Sequence, residues 1–226
     1  MDIQHLSLWT NQLAAQKAFY QDWLGMELLD ATEDSFSVAV GHSVLEFRQG
    51  EEAAYYHFAF NVSPAQLASA RDWLRSRVPL ISDNGQEIID FSFWNAEALY
   101  FYDPALNIVE FIARRDLDWP DGDAFDIRNI AGLSEIGLPV NQVGGEFSQL
   151  EQMAGVSRYS GDMKRFCAAG DPTGLFILVD QAQKEWYPTS SKSKPFELKA
   201  KVRTAKGTFQ ITLAPEGDLQ IETFAS

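Results

Sequence analysis

Cysteine is almost absent from this chain. Cys167 stands alone among 226 residues, so no intrachain disulfide can brace the fold, and the composition suits a reducing compartment. Histidine is nearly as scarce, with only His5, His42 and His57, so a site that needs imidazole has few places to be. Long apolar runs are missing: no segment approaches the roughly 20 residues of a membrane-spanning helix. The N-terminus, Met1-Asp2-Ile3-Gln4-His5, has neither the basic nor the apolar region of a signal peptide. Positive charge is in deficit. Against 32 Asp and Glu there are 18 Lys and Arg, a formal net charge of −14, which repels nucleic-acid phosphates. These absences predict a cytoplasmic protein that binds neither nucleic acid nor membrane. The one basic stretch, Lys184 to Lys206, with Lys192, Lys194, Lys199, Lys201 and Arg203, reads as a solvated loop and strand face, or less readily as an anion-attracting rim.

What the chain does carry is a set of polar residues inside short strand-like runs. His5 lies in Ile3-Gln4-His5-Leu6-Ser7-Leu8, and Glu46 in Val44-Leu45-Glu46-Phe47. His57 lies in Tyr56-His57-Phe58-Ala59-Phe60, and Glu110 in Ile108-Val109-Glu110-Phe111-Ile112. Successive side chains of a strand point to opposite faces, so each polar residue faces away from the large apolar residues beside it. Helices can cover the apolar face, leaving His5, Glu46, His57 and Glu110 to converge on the other face of a curved sheet. Two imidazoles with one or two carboxylates make a divalent-metal site with positions left open for substrate. An apolar content of 46% is ordinary for a globular protein, and 13% aromatic residues suit packed sheets and a pocket. Trp9, Phe91, Phe93, Trp94 and Tyr102 are candidates to line it.

The pattern predicts a βαβββ unit used twice in residues 1–115. Asn11 caps a first helix running to about Leu24, with Leu13, Phe19, Tyr20, Trp23 and Leu24 on its apolar side and Gly25 as its stop. Ser63-Pro64 opens a second through Leu67, Ala70, Trp73 and Leu74. Asp22-Trp23-Leu24 and Asp72-Trp73-Leu74 recur at similar distances from His5 and His57, as a repeat requires. Residues 116–129, including Trp119-Pro120-Asp121-Gly122-Asp123, read as a linker. Residues 130–226 read as a degenerate copy: Glu135 to Gln142 lies over His5 to Gln12, and Glu197 to Val202 resembles His57 to Val62. The second helix of that copy is missing. The expectation is that this half packs against or covers the first and binds no catalytic metal.

On these residues the chain resembles the vicinal oxygen chelate superfamily, which holds glyoxalase I, extradiol dioxygenases, fosfomycin-resistance proteins and bleomycin-binding proteins. The resemblance rests on His5, Phe19-Tyr20 to Leu24-Gly25-Met26, His57, and Asp103-Pro104-Ala105-Leu106-Asn107-Ile108-Val109-Glu110, which is similar to the family's Asp-Pro-x-Gly-Asn-x-x-Glu turn. It covers residues 1–115 well and the rest weakly. The resemblance implies an α+β fold: paired βαβββ modules curved into a mixed-sheet cup around a metal, with the degenerate copy behind it. Extradiol dioxygenases would use His5, His57 and Glu110 for iron, with Tyr100 in the active site; their additional histidine has no counterpart in Phe91-Ser92-Phe93-Trp94. Glyoxalase I would use His5, Glu46, His57 and Glu110, with Glu110 or Glu46 as the mobile base; Trp9 stands where glutathione-using enzymes carry an arginine. The resemblance therefore implies a divalent metal ion (Fe, Zn, Ni or Mn) and a small oxygen-rich substrate. It favours lyase or isomerase chemistry over ring cleavage, and leaves a homodimer open. A metal-free binding protein like the bleomycin-sequestering relatives is the alternative.

Overall fold

The computed structural model describes residues 1–119, 122 and 124–224. Pro120, Asp121 and Asp123 of the expected linker lie outside them. The first unit consists of β1 (Asp2–Thr10), α1 (Leu13–Lys17), β2 (Leu28–Ala31), β3 (Ser35–Val40) and β4 (Ser43–Gln49). The second is β5 (His57–Asn61), α2 (Leu67–Arg75), the short β6 (Leu80–Ile81) and β7 (Ile89–Phe91), β8 (Ala96–Tyr102) and β9 (Ile108–Arg114). A third follows as β10 (Gly132–Val140), α3 (Val143–Gln149), β11 (Arg158–Gly161), β12 (Phe166–Asp171) and β13 (Gly174–Asp180). A small hairpin, β14 (Glu185–Trp186) and β15 (Ser191–Lys192), leads to a helix-free fourth unit of β16 (Leu198–Thr204), β17 (Gly207–Leu213) and β18 (Leu219–Thr223).

The local expectations hold with adjustments. α1 runs on as a π-helical turn from Ala18 to Trp23, and Gly25, at φ +79°, ends it in the left-handed region that suits glycine. Asn11 does not cap α1, whose N-cap residue is Gln12, without a side-chain bond; Ser63 takes the N-cap position, with Pro64 first in a 3₁₀ turn, Pro64–Gln66, that leads into α2, but its hydroxyl makes no capping bond. Trp23 is not on the buried side of its helix. It is exposed, and its indole donates to the Arg77 carbonyl at 2.9 Å.

The units pair in an order that chain sequence does not suggest. β1 lies antiparallel to β16 of the fourth unit, while β5 lies antiparallel to β10 of the third. In the first three units the first strand also takes the last strand of its own unit in parallel, as β1 with β4, β5 with β9 and β10 with β13. Two curved half-barrels result, joined where Ile3 of β1 meets Leu133 of β10. One cup is built from units two and three, the other from units one and four. Phe58, Phe60, Phe101, Val109 and Phe111 pack on the outer, helix-covered side, in one apolar core with Tyr20, Leu67 and Leu74. Ala59, Ala98, Tyr100, Ile108, Ile112, Ile177 and Val179 belong to a second cluster inside the first cup. This is the alternation read from the sequence, with His57 and Glu110 facing into the cup and Phe58, Val109 and Phe111 beside them facing the outer core.

Asp103 ties the first unit to the second. Its buried carboxylate accepts from Gln16 Nε2 at 2.7 Å and Tyr20 Oη at 2.8 Å, both in the first helical segment. It also accepts from Asn107 Nδ2 at 2.7 Å and from the Ala105 and Asn107 amides at 3.0 Å. Where the family turn has glycine, Leu106 holds the left-handed conformation at φ +64°. Asp103→Ala leaves these donors without an acceptor, so it is expected to cost roughly 2–4 kcal/mol in urea unfolding, with Asp103→Asn costing less.

Candidate metal centre

The pairing of β5 with β10 decides the site. Ala59 of β5 stands opposite Glu110 of β9 on one side and Glu135 of β10 on the other. Both carboxylates therefore reach over a methyl group, with His57 two residues back on the same face. β10 would not present Glu135 inward by simple alternation, because Leu133 packs in the outer core. A bulge between Leu133 and Glu135, with Ser134 as the extra residue, turns Glu135 to the concave side. The same irregularity between Ile3 and His5 in β1 turns His5 into the other cup.

His57 Nε2 lies 3.4 Å from Glu110 Oε2 and 3.9 Å from Glu135 Oε2. One donor atom from each of the three residues falls within 4.8 Å of the other two, and all three residues are buried. His57 Nδ1 is 3.1 Å from the Ile108 carbonyl. A carbonyl only accepts, so Nδ1 carries the proton and, in a neutral ring, Nε2 presents its lone pair to the carboxylates. Fully buried Arg114 donates to Glu135 Oε1 and lies over the Trp94 ring at 5.5 Å. Burial and the neighbouring Glu135 push the Glu110 carboxyl well above its usual range, against the opposing pull of Tyr100 and Arg114. Burial, then Glu110 and Glu135, likewise raises the Tyr100 hydroxyl, which stays protonated and donates to Glu110.

Above this floor is a cavity of about 360 Å³ walled by Phe91, Trp94, Phe166, Ile177, Trp186 and Tyr187. The segment between the third and fourth units closes it as a strap. Trp186 brings its ring to 5.2 Å from that of His57, and Tyr187 donates across the opening to Asp83 Oδ2 at 2.9 Å. Phe93 is 73% exposed at the mouth.

The expected four-ligand set is not assembled. His57 and Glu110 come together with Glu135, whereas His5 and Glu46 lie outside the group and in the other cup. There His5 Nε2 is 3.2 Å from Glu46 Oε2, Ser7 Oγ donates to the same oxygen at 2.5 Å, and Arg48 pairs with Oε1 at 2.9 Å. Partial burial raises the Glu46 carboxyl, but the Ser7 hydrogen bond, then Arg48 and His5, outweigh it and hold the group below its usual range. Across the strands His5 faces Lys201, a cation where a further ligand would be needed. Trp9 is also in that cup, under Lys199 at 5.4 Å. Of the other expected pocket residues, Phe91, Phe93 and Trp94 line the cavity with the acidic group, as does the expected active-site residue Tyr100, while Tyr102 does not. The second half, expected to bind no catalytic metal, contributes Glu135 to the candidate group. The overlay of Glu135 on His5 in the sequence repeat was the available signal. Lys184 opens the basic stretch whose less favoured reading is an anion-attracting rim, while Arg114 and Trp186 left no comparable trace.

A curved βαβββ scaffold carrying a buried imidazole–carboxylate group in its cup defines a class of metal-site folds. Residues 2–111 match the model of the Glyoxalase/Bleomycin resistance protein/Dioxygenase superfamily. Among solved structures it is similar to a putative dioxygenase from Bacillus subtilis subsp. subtilis str. 168, at 14% identity and TM-score 0.62, covering 98% of this chain and 84% of that one. It is also similar to a point mutant of glyoxalase I from Zea mays, at 13% identity and TM-score 0.59, covering 97% and 92%. At these identities the likeness concerns the fold. No curated protein matches the chain. No helix among the described residues is long and apolar enough to cross a membrane.

Gly137 shows how closely the strap fits. A Cβ there would stand 2.5 Å from Trp186 Cη2. Gly137→Ala is expected to push the indole off the cup floor, shift tryptophan emission to the red relative to a Trp186→Phe control, and cost roughly 1–3 kcal/mol of stability in the same unfolding assay.

Proposed function

We propose that the protein is a metal-dependent enzyme of this superfamily, in which His57, Glu110 and Glu135 hold one divalent cation and a small oxygen-rich substrate binds through two neighbouring oxygens. The observation that carries this reading is the aim of His57 Nε2. A neutral imidazole that directs its lone pair at two buried carboxyl groups needs a proton or a cation between them, and the three donor atoms lie close enough together to share one ion. One arginine offsets only one of the two carboxylates, and the three donors present the mixed nitrogen and oxygen set that Fe, Zn, Ni or Mn accept. A divalent ion bound there would polarise the substrate oxygens it contacts.

The chain's own groups do the rest. The Ile108 carbonyl keeps the His57 ring in one tautomer, and Arg114 orients Glu135. Glu110, with its raised proton affinity, is the group suited to take a proton from a substrate carbon and return it. Tyr100 remains a donor that steadies the carboxylate form. The aromatic walls and the strap exclude water from the floor. A carboxylate proton carrier fits lyase or isomerase chemistry. Ring cleavage with a second histidine does not fit, since His57 is the one histidine among the described residues lining the cavity.

Elemental analysis by plasma mass spectrometry tests the reading. Wild type and His5→Ala are expected to carry one transition metal per chain, and His57→Ala and Glu135→Gln to lose it. Loss in His5→Ala with retention in Glu135→Gln would move the site to the other cup. No metal in wild type, even after reconstitution, would leave a metal-free binding protein.

A further inference from the structure

The strap brings one group to the cavity that the proposed chemistry does not use. Lys184 is the only lysine or arginine among the described residues lining the cavity, whose acidic members are Asp90, Glu110 and Glu135. Its ammonium has no carboxylate within 4.0 Å among the described residues, unlike Arg114 below it. It is half-buried and lies 5.5 Å from the Phe166 ring, so its stem follows the apolar wall. The backbone is fixed at both of its polar groups: Lys184 N donates to the Asp180 carbonyl at 3.1 Å, and Ser193 Oγ donates to the Lys184 carbonyl at 2.6 Å. A long cation is thus held over the mouth of an aromatic cavity without an anion of its own.

We infer that Lys184 selects the ligand: the cavity takes an aromatic carboxylic acid whose ring lies between Phe91, Trp94, Phe166 and Trp186 and whose carboxylate pairs with Lys184. The ring follows from the walls, since four aromatic faces in one cavity match a planar apolar body. The carboxylate follows from charge, because one ammonium balances one negative charge. The surrounding charges do not satisfy it. Asp90 is exposed and solvated. Burial, then Arg165, disfavours the Lys184 charge, while Asp162 favours it. A bound carboxylate would restore what burial removes.

The inference rests on the cavity's being the substrate site, and its test is arranged so that the metal reading can fail without it. The probes are 2-naphthoate and 2-naphthamide, equal in shape and differing in charge. Each is titrated calorimetrically into the purified full chain, and again after EDTA treatment, for wild type, Lys184→Met and Lys184→Arg. Wild type is expected to bind 2-naphthoate about tenfold more tightly than the amide, as one charge-assisted contact provides. Lys184→Met should bind both equally, and Lys184→Arg should keep the preference. Unchanged thermal melting shows that the variants are folded. Equal binding of both probes by wild type, or binding of neither, overturns the proposal. So does a preference that survives Lys184→Met; if that surviving preference vanishes with EDTA, the carboxylate was being held by metal and not by Lys184.

Discussion

The antiparallel register of β5 with β10 is the contact on which the rest depends. It sets Ala59 between Glu110 and Glu135 and so creates a place where two carboxylates and an imidazole meet over a small side chain. The bulge at Ser134 belongs to the same pairing: without it Glu135 would point into the outer core with Leu133. The complementary pairing of β1 with β16 uses the equivalent irregularity, so both cups are made by one device applied twice. Pairing consecutive units instead would break both.

The two cups share a scaffold and differ in charge balance. In the second, Glu46 is matched by Arg48, Ser7 and His5, and the side chains of His5 and Arg48 are 37% and 48% exposed, so nothing further is demanded of a ligand. In the first, two glutamates share one arginine at near-complete burial. Buried charge without full compensation costs several kcal/mol, and the fold tolerates it because large apolar clusters surround it on both faces of the sheet.

The strap completes the first cup. It belongs to neither βαβββ unit, yet it supplies Trp186 against His57, Tyr187 across to Asp83, and Lys184 at the mouth. Its seat depends on Gly137 below Trp186. The superfamily match ends at residue 111, well before this segment, and fold alone says little about chemistry; the cavity's character comes from this connection between units.

Much was legible in the sequence itself. Alternation in Tyr56 to Phe60 and Ile108 to Ile112 placed His57 and Glu110 on a concave face, because a strand's period of two is a local property. The four repeat units, and the missing helix of the last, followed from hydrophobic spacing and turn residues. The overlay of Glu135 on His5 held the third site residue without assigning it. Strand partners across the chain were not legible: β1 can in principle pair with either β5 or β16, since both offer the same backbone groups and similar apolar faces. Bulges escape for a related reason, as a two-against-one register exists only between strands. The residues alone therefore determined which groups face inward and which units they belong to. The tertiary pairing decided that His57 and Glu110 meet Glu135 rather than His5, because convergence of buried charges is a property of the assembled sheet and of no single strand.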